Sequence, residues 1–272
     1  MGKPRQHWLP AAVIGSGFGD RGSGPGREAV VGVRRKRSAG VELVKASTVC
    51  YERGLYTLAA PPVGVDANVV DRVLGTIEPV IPAVITSLET GDQTADGEEI
   101  LLDYAAMLGS RHPQYFREIV GAHTSRIGAE PLAGDAVTLA RLQVLQNALE
   151  QVRQWHWRVV DSPIDAPGFV LNDRGFSYVG QEQRPSRALF IPLSRRVAVL
   201  GFGGQQTGFA SRFTATSMSV RWLNALTWTD APLEAYAHPF DREMLANLAD
   251  PTDAPANSTG PYRGSTRNLL DE

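Results

Sequence analysis

The sequence is poor in the features from which chemistry is usually read. Of its 272 residues only one, Cys50, is a cysteine. A single thiol excludes a disulfide framework within the chain and any multi-cysteine metal centre, and makes a reducing, cytoplasmic setting the expectation. No stretch approaches the roughly 18 consecutive apolar residues of a membrane span. The apolar run Trp8 to Ile14 is too short, and too soon broken by glycine, to read as a signal peptide. No membrane partner is therefore expected. Neither sign of charge dominates: 27 Lys and Arg face 29 Asp and Glu, for a formal net charge of −2. Nothing in that balance alone points to a polyanion as partner.

Strong catalytic motifs are missing too. No two histidines have the His-x-x-x-His spacing of a helical zinc site. Gly15-Ser16-Gly17 lacks the spacing of a nucleophile elbow. Gly201-Phe202-Gly203-Gly204-Gln205-Gln206 lacks the Lys-Ser/Thr of a phosphate loop. Val13-Ile14-Gly15-Ser16-Gly17 imitates a dinucleotide fingerprint, but position 20 is Asp20, and glycines and Pro25 follow. No helix would then begin where a phosphate needs one. Residues 7–14 are expected to form a first strand and residues 15–26 a flexible surface loop. Cys50, in a Val-Cys-Tyr context, reads as a buried thiol. No cofactor and no metal site is assigned.

What is present is periodicity. Ala29 to Val33 and Val41 to Val44 read as a strand pair. Thr48 to Cys50 and Leu55 to Leu58 suggest further extended segments. From Asp66, an N-cap, apolar residues recur at three- and four-residue spacing to Leu88. Pro79 and Pro82 inside that run predict a kink or two abutting helices. A second helix starts near Thr94, with Tyr104 and Met107 on its buried face and Arg111 one turn further along that face. Pro113 restarts the helix, and a fourth begins near Asp135 with Leu139, Leu142, Leu145 and Leu149 as its stripe.

Trp155 to Gly204 then gives four or five short apolar or aromatic runs with turn residues between them, the pattern of consecutive strands on which the helices would pack. One more strand within Phe213–Met218, a helix over Val220–Trp228, a strand at Glu234–Ala237 and a brief helix over Asp241–Leu248 complete the reading. The expected fold class is α+β: an antiparallel or mixed sheet with a helical layer, about residues 66–154, inserted between early and late strands. Residues 1–249 are expected to form one domain. Residues 250–272, rich in Pro, Asp, Asn, Ser, Thr and Gly, are expected to be a disordered tail.

Charge is distributed unevenly. Residues 1–37 hold eight Lys and Arg against two acids, and residues 230–272 hold eight acids against three arginines. Arg34 and Arg35, with Arg184 and Arg187 beside a later strand, could line a basic groove next to Trp155 and Trp157. Such a groove would suit an anionic small molecule or nucleic acid. The competing reading is a solvated strand edge protected by charge.

Several short motifs occur in a telling order. Gln6-His7-Trp8-Leu9-Pro10 opens the chain and Ser110-Arg111-His112-Pro113 follows the helices. Phe169-Val170-Leu171-Asn172-Asp173-Arg174-Gly175 forms a turn, Ile191-Pro192-Leu193-Ser194 starts a strand, and Asn224 on a helix precedes Tyr236 on a final strand. That order resembles the uncharacterised bacterial family catalogued as domain of unknown function 4238, over about residues 5–245. The chain departs from the family's hydrophobic-Ser-Asp-Asn-Pro turn: Asn172 stands for the serine and Arg174-Gly175 for Asn-Pro. The resemblance implies positions worth testing and carries no assigned reaction.

His7, Arg111 and Asp173, with Asn224 fourth, are the expected catalytic residues. Histidine can move a proton near neutral pH, arginine can grip an anion with two N–H groups, and a carboxylate at a turn can orient the histidine or act as a base. Together they would suit a hydrolase or transferase acting on a phosphate-bearing substrate or nucleic acid. The alternative is a non-catalytic interaction or sensor protein, with Asp173 closing its own turn, Arg111 capping a helix and His7 packed under the sheet. His112 reads as a helix-end residue.

Overall fold

The alternation that begins at Trp155 does build a sheet. The computed structural model describes residues 3–249 apart from 39, 131, 181–187 and 204–206. Strand β5 (Trp155–Asp161) pairs antiparallel with β9 (Val197–Gly203), which pairs with β8 (Ala188–Pro192) and then β7 (Ser177–Val179). On the other side β10 (Gly208–Thr214) runs parallel to β5, so this five-stranded sheet is mixed. Register explains a glycine here. Trp157 lies opposite Gly201, and a Cβ on Gly201 would come within 2.6 Å of the indole.

A four-stranded antiparallel sheet joins both ends of the chain. Its order is β3 (Val41–Lys45), β2 (Val30–Arg35), β11 (Glu234–Ala237) and β6 (Leu171–Asn172). The segment 168–172 therefore leaves the sheet of its sequence neighbours and pairs with β11, Leu171 opposite Tyr236. A small ribbon joins β1 (Arg5–His7) to β4 (Tyr51–Arg53).

The helical layer lies where expected, between β4 and β5. It comprises α2 (Val69–Leu74), α3 (Ile81–Thr90), α4 (Ala95–Arg111), α5 (Pro113–Arg126) and α6 (Asp135–Val152). Pro79 lies between α2 and α3, Pro82 sits in the first turn of α3, and Gly91 ends α3 in the left-handed conformation, φ 86°. Thr94 caps α4 by accepting from the Gly97 N–H at 3.1 Å. Asp66 sits two residues ahead of the Asn68 N-cap and accepts its N–H instead. After the first sheet come α7 (Ser217–Asp230) and α8 (Arg242–Ala246).

The expectation for residues 7–26 needs correction. Strand β1 stops at His7, and Ala11–Phe18 is a helix, α1, followed by two short 3-10 turns. Its glycines serve close approach. A Cβ on Gly15 would lie 1.8 Å from the Gly26 carbonyl oxygen, and one on Gly17 would lie 2.2 Å from that of Leu193. Glycine costs a helix about 1 kcal/mol relative to alanine, and here it lets the helix backbone touch two other backbones. Residues 55–58 are likewise not a strand.

One apolar core joins α1, the helical layer and both larger sheets, with Leu9, Phe18, Tyr104, Trp157, Phe190 and Tyr236 among its members. The packing thins at one place. In α6, Arg141 and Val152 are buried while the leucine stripe is only partly covered, and α5 buries just Phe116 and Thr124. The expected C-terminal tail lies outside the described residues.

Candidate functional site

The opening motif threads past the end of α4, and Arg111 holds it there. The guanidinium is 2% exposed. One terminal nitrogen donates to the Leu74 carbonyl at 2.9 Å and lies 3.3 Å from Met107 Sδ. The other donates to the His7 carbonyl at 2.5 Å and ion-pairs with Glu78 at 2.5 Å. Arg111 thus links β1, the end of α2 and the end of α4, with both terminal nitrogens occupied. Its own carbonyl accepts from the Tyr56 hydroxyl and from buried Arg141, which also reaches the Ser110 carbonyl. Burial pushes the Arg141 guanidinium down to about 10. Its charge rests over the Phe116 ring at 4.2 Å and beside helix-end carbonyls, which attract a cation.

His7 points elsewhere. Its Nδ1 donates to the Val49 carbonyl at 3.0 Å, which leaves the lone pair on Nε2, a buried atom without a partner among the described residues. Burial, with Arg27, Arg111 and Arg5 adding to it, lowers the imidazole to about 4. At neutral pH the ring is uncharged and a weak base.

Asp173 is fully buried, and its histidine is His112. His112 caps α5: its Nδ1 accepts from the Tyr115 N–H at 3.1 Å. That bond leaves Nε2 to carry the proton, 3.3 Å from Asp173 Oδ2. The other carboxylate oxygen accepts from the Leu233 N–H at 3.3 Å, and the Asp173 carbonyl accepts from the Trp8 indole at 3.0 Å. The Trp8 ring stands edge-on to His112. All three motifs therefore meet in one buried knot, partly through backbone atoms: Arg111 to His7, Trp8 to Asp173, and His112 to Asp173.

A second buried chain runs beside it. Cys50 Sγ lies 2.8 Å from the Tyr236 hydroxyl, which donates to Glu234, and Glu234 pairs with Arg35 at 3.1 Å. Burial, then the negative charges of Asp173 and Glu234, raises the Cys50 thiol well above its ordinary value, so it stays protonated. Burial likewise raises the Glu234 carboxyl.

The other expected site residues are committed to the fold or not described. The Asn224 amide on α7 accepts from the Val170 N–H and donates to the Gly168 carbonyl, both at 2.9 Å, clipping the entry to β6 in place. Arg34 donates to the Leu245 and Leu248 carbonyls and stacks on Trp228. Arg35 bridges Glu42 and Glu234. Neither lines a groove as a free cation. Arg184 and Arg187 lie outside the described residues. Among the described residues no group of three or more His, Cys, Asp or Glu could hold a metal ion.

An open cavity lies elsewhere, where α5 and α6 are thinly covered. It is a recess of about 460 Å³. Ala105, Ala106 and Gly109 of α4 contribute small residues, α6 contributes Val144 and Ala148, and Trp155, Phe176 and Tyr178 come from the sheet side. Among the described residues no carboxylate, lysine or arginine lines it, and His123 is the one histidine there. The sequence hinted at this recess only through small residues on the inner face of α4. Tyr115 connects it to the knot: its backbone N–H binds His112, and its hydroxyl lies 2.9 Å from that of Tyr178 at the recess wall.

No family model, curated protein or solved structure matches the chain.

Proposed function

We propose that the chain is a binding protein whose recess receives a small molecule with a largely apolar body, and that the motif residues brace the elements around that recess. The carrying observation is a division of labour. Among the described residues the space open to a ligand has no acid–base pair in its lining, whereas the buried residues that could form one are enclosed and engaged with one another. The volume fits the range of ligand cavities, roughly 300–1,000 Å³, and the lining is apolar with a few neutral polar groups.

Phenylnaphthylamine, a neutral dye that brightens in apolar surroundings, tests this reading. It is expected to bind the wild-type chain and to quench Trp155, whose excitation would sensitise the dye. Val144→Phe, which adds bulk on the α6 side, is expected to abolish binding while the fold and its melting temperature hold. Dye binding unaffected by Val144→Phe would overturn the assignment. So would turnover of a phosphoester that Asp173→Asn abolishes without unfolding, since a hydrolase or transferase would then be the better reading.

A further inference from the structure

We infer that the recess ligand is amphiphilic, with an anionic head group of carboxylate, sulfonate or phosphate type held by Arg174. This inference rests on the reading of the recess as a ligand site and adds the chemistry of its end. Arg174 lies in the turn after β6. Its guanidinium carbon is 4.5 Å from the centre of the Tyr115 ring and 5.6 Å from that of Phe176, and both rings line the recess. Rings that stack on a guanidinium cover its faces and leave its N–H edge for an anion. That edge is unspent. Arg174 Nε is buried without a hydrogen-bond partner among the described residues. Nε of Arg111, Arg141 and Arg158 is likewise without a partner among the described residues, but Arg111 and Arg141 are tied to carbonyls through their terminal nitrogens, as Arg195 is to Asp241, Arg196 to three carbonyls and Arg212 to Asp161.

The turn presents this cation rigidly. Asn172 Oδ1 accepts from the Gly175 N–H at 2.9 Å, Gly175 adopts φ 88°, and Trp8 and His112 grip Asp173 on its other side. A Cβ on Gly175 would lie 2.6 Å from a Leu108 methyl, so the turn is also pressed against α4. A preorganised donor loses little freedom when its ligand arrives. Among the described residues no cation lines the recess, so an apolar body would occupy it while the head group stays at the Tyr115–Phe176 end. An oxyanion there can accept from the terminal nitrogens of the guanidinium, which have no partner among the described residues.

A matched pair of dyes tests the inference: neutral phenylnaphthylamine and its anionic relative anilinonaphthalene sulfonate, each titrated into wild type, Arg174→Gln and Arg174→Lys. The sulfonate is expected to bind wild type roughly tenfold or more tightly than the neutral dye. Arg174→Gln should remove that preference and leave the neutral dye's affinity unchanged; Arg174→Lys should restore part of it. Val144→Phe should abolish binding of both dyes, which shows that both occupy the recess. If the neutral dye binds but the sulfonate preference is absent, or survives in Arg174→Gln, the head-group assignment is overturned and the recess reading stands. If neither dye binds wild type, both fall.

Discussion

Replacing Arg111 by methionine separates a structural arginine from an anion clamp. Methionine retains much of the aliphatic volume and removes the charge. The Leu74 carbonyl and the His7 carbonyl each lose a donor, and Glu78 loses its cation. Leaving a buried acceptor unsatisfied costs about 1–3 kcal/mol. The Glu78 side chain is 31% exposed, so water compensates much of the lost ion pair and its share is about 1 kcal/mol or less. The sum is about 2–7 kcal/mol, bracketing the roughly 3–5 kcal/mol for breaking a buried charged pair. A domain has roughly 5–15 kcal/mol in all. The variant is therefore expected to unfold at a markedly lower urea midpoint with an unchanged slope. Glu78→Gln should shift the midpoint by about a quarter as much. Urea melts with and without phosphate complete the test. A structural Arg111 predicts no specific protection of wild type by phosphate. An Arg111→Met midpoint within about 0.5 kcal/mol of wild type, the ordinary range of surface substitutions, would refute the reasoning. So would phosphate protection that vanishes with the arginine.

Two further outcomes follow from the same geometry. Because burial lowers the His7 imidazole to about 4, the unfolded chain takes up a proton from pH 6.5 downward that the folded chain refuses. Stability should fall between pH 6.5 and 4 by roughly 1–2 kcal/mol once solvent screening is allowed for. His7→Gln should flatten that part of a stability-versus-pH curve, and an unchanged slope would remove His7 as its source. Gly17→Ala sets two rules against each other. Helix propensity favours alanine by about 1 kcal/mol, while the Leu193 carbonyl only 2.2 Å from the new Cβ forbids it. The clash should win, lowering the melting temperature by several degrees; a stabilised variant would refute the close approach.

Local signals survived the passage from sequence to structure. Thr94, Gly91, Pro113 and Asp135 mark helix ends through groups within a turn of themselves, and each marks one here. Arg111 could be placed on the buried face of α4 because its spacing from Met107 is helical, and the two side chains do touch. What failed depended on distant chain. Gly15 and Gly17 read as loop residues because only Gly26 and Leu193 reveal why a helix would contain them. Leu171 read as part of the sheet built by Trp155 to Gly204, and Asn172 as part of the turn after it, because their partner, β11, comes more than 60 residues later. The pairing of His112 with Asp173 was hidden for the same reason. His112 was legible as a helix-end residue, and capping α5 fixes its tautomer, but nothing local points it at a carboxylate 61 positions away. Nothing local singles out Arg141, since the helix-end carbonyls it serves belong to another helix.

The pairing of β11 with β2 also has a consequence in time. Arg35 and Glu234, partners in that ladder, are roughly 200 residues apart. During synthesis at about 5–20 residues per second, the β2–β3 hairpin would wait some 10–40 seconds with one edge unsatisfied. Over that interval the nascent chain offers other strands an apolar edge containing Val31 and Val33, both enclosed in the finished fold. Limited proteolysis of ribosome-bound chains stalled before residue 230 would read that exposure directly. The sheet that joins the two ends of this protein is also its latest to close, and the interval before closure is when the chain is most open to mispairing with a neighbour.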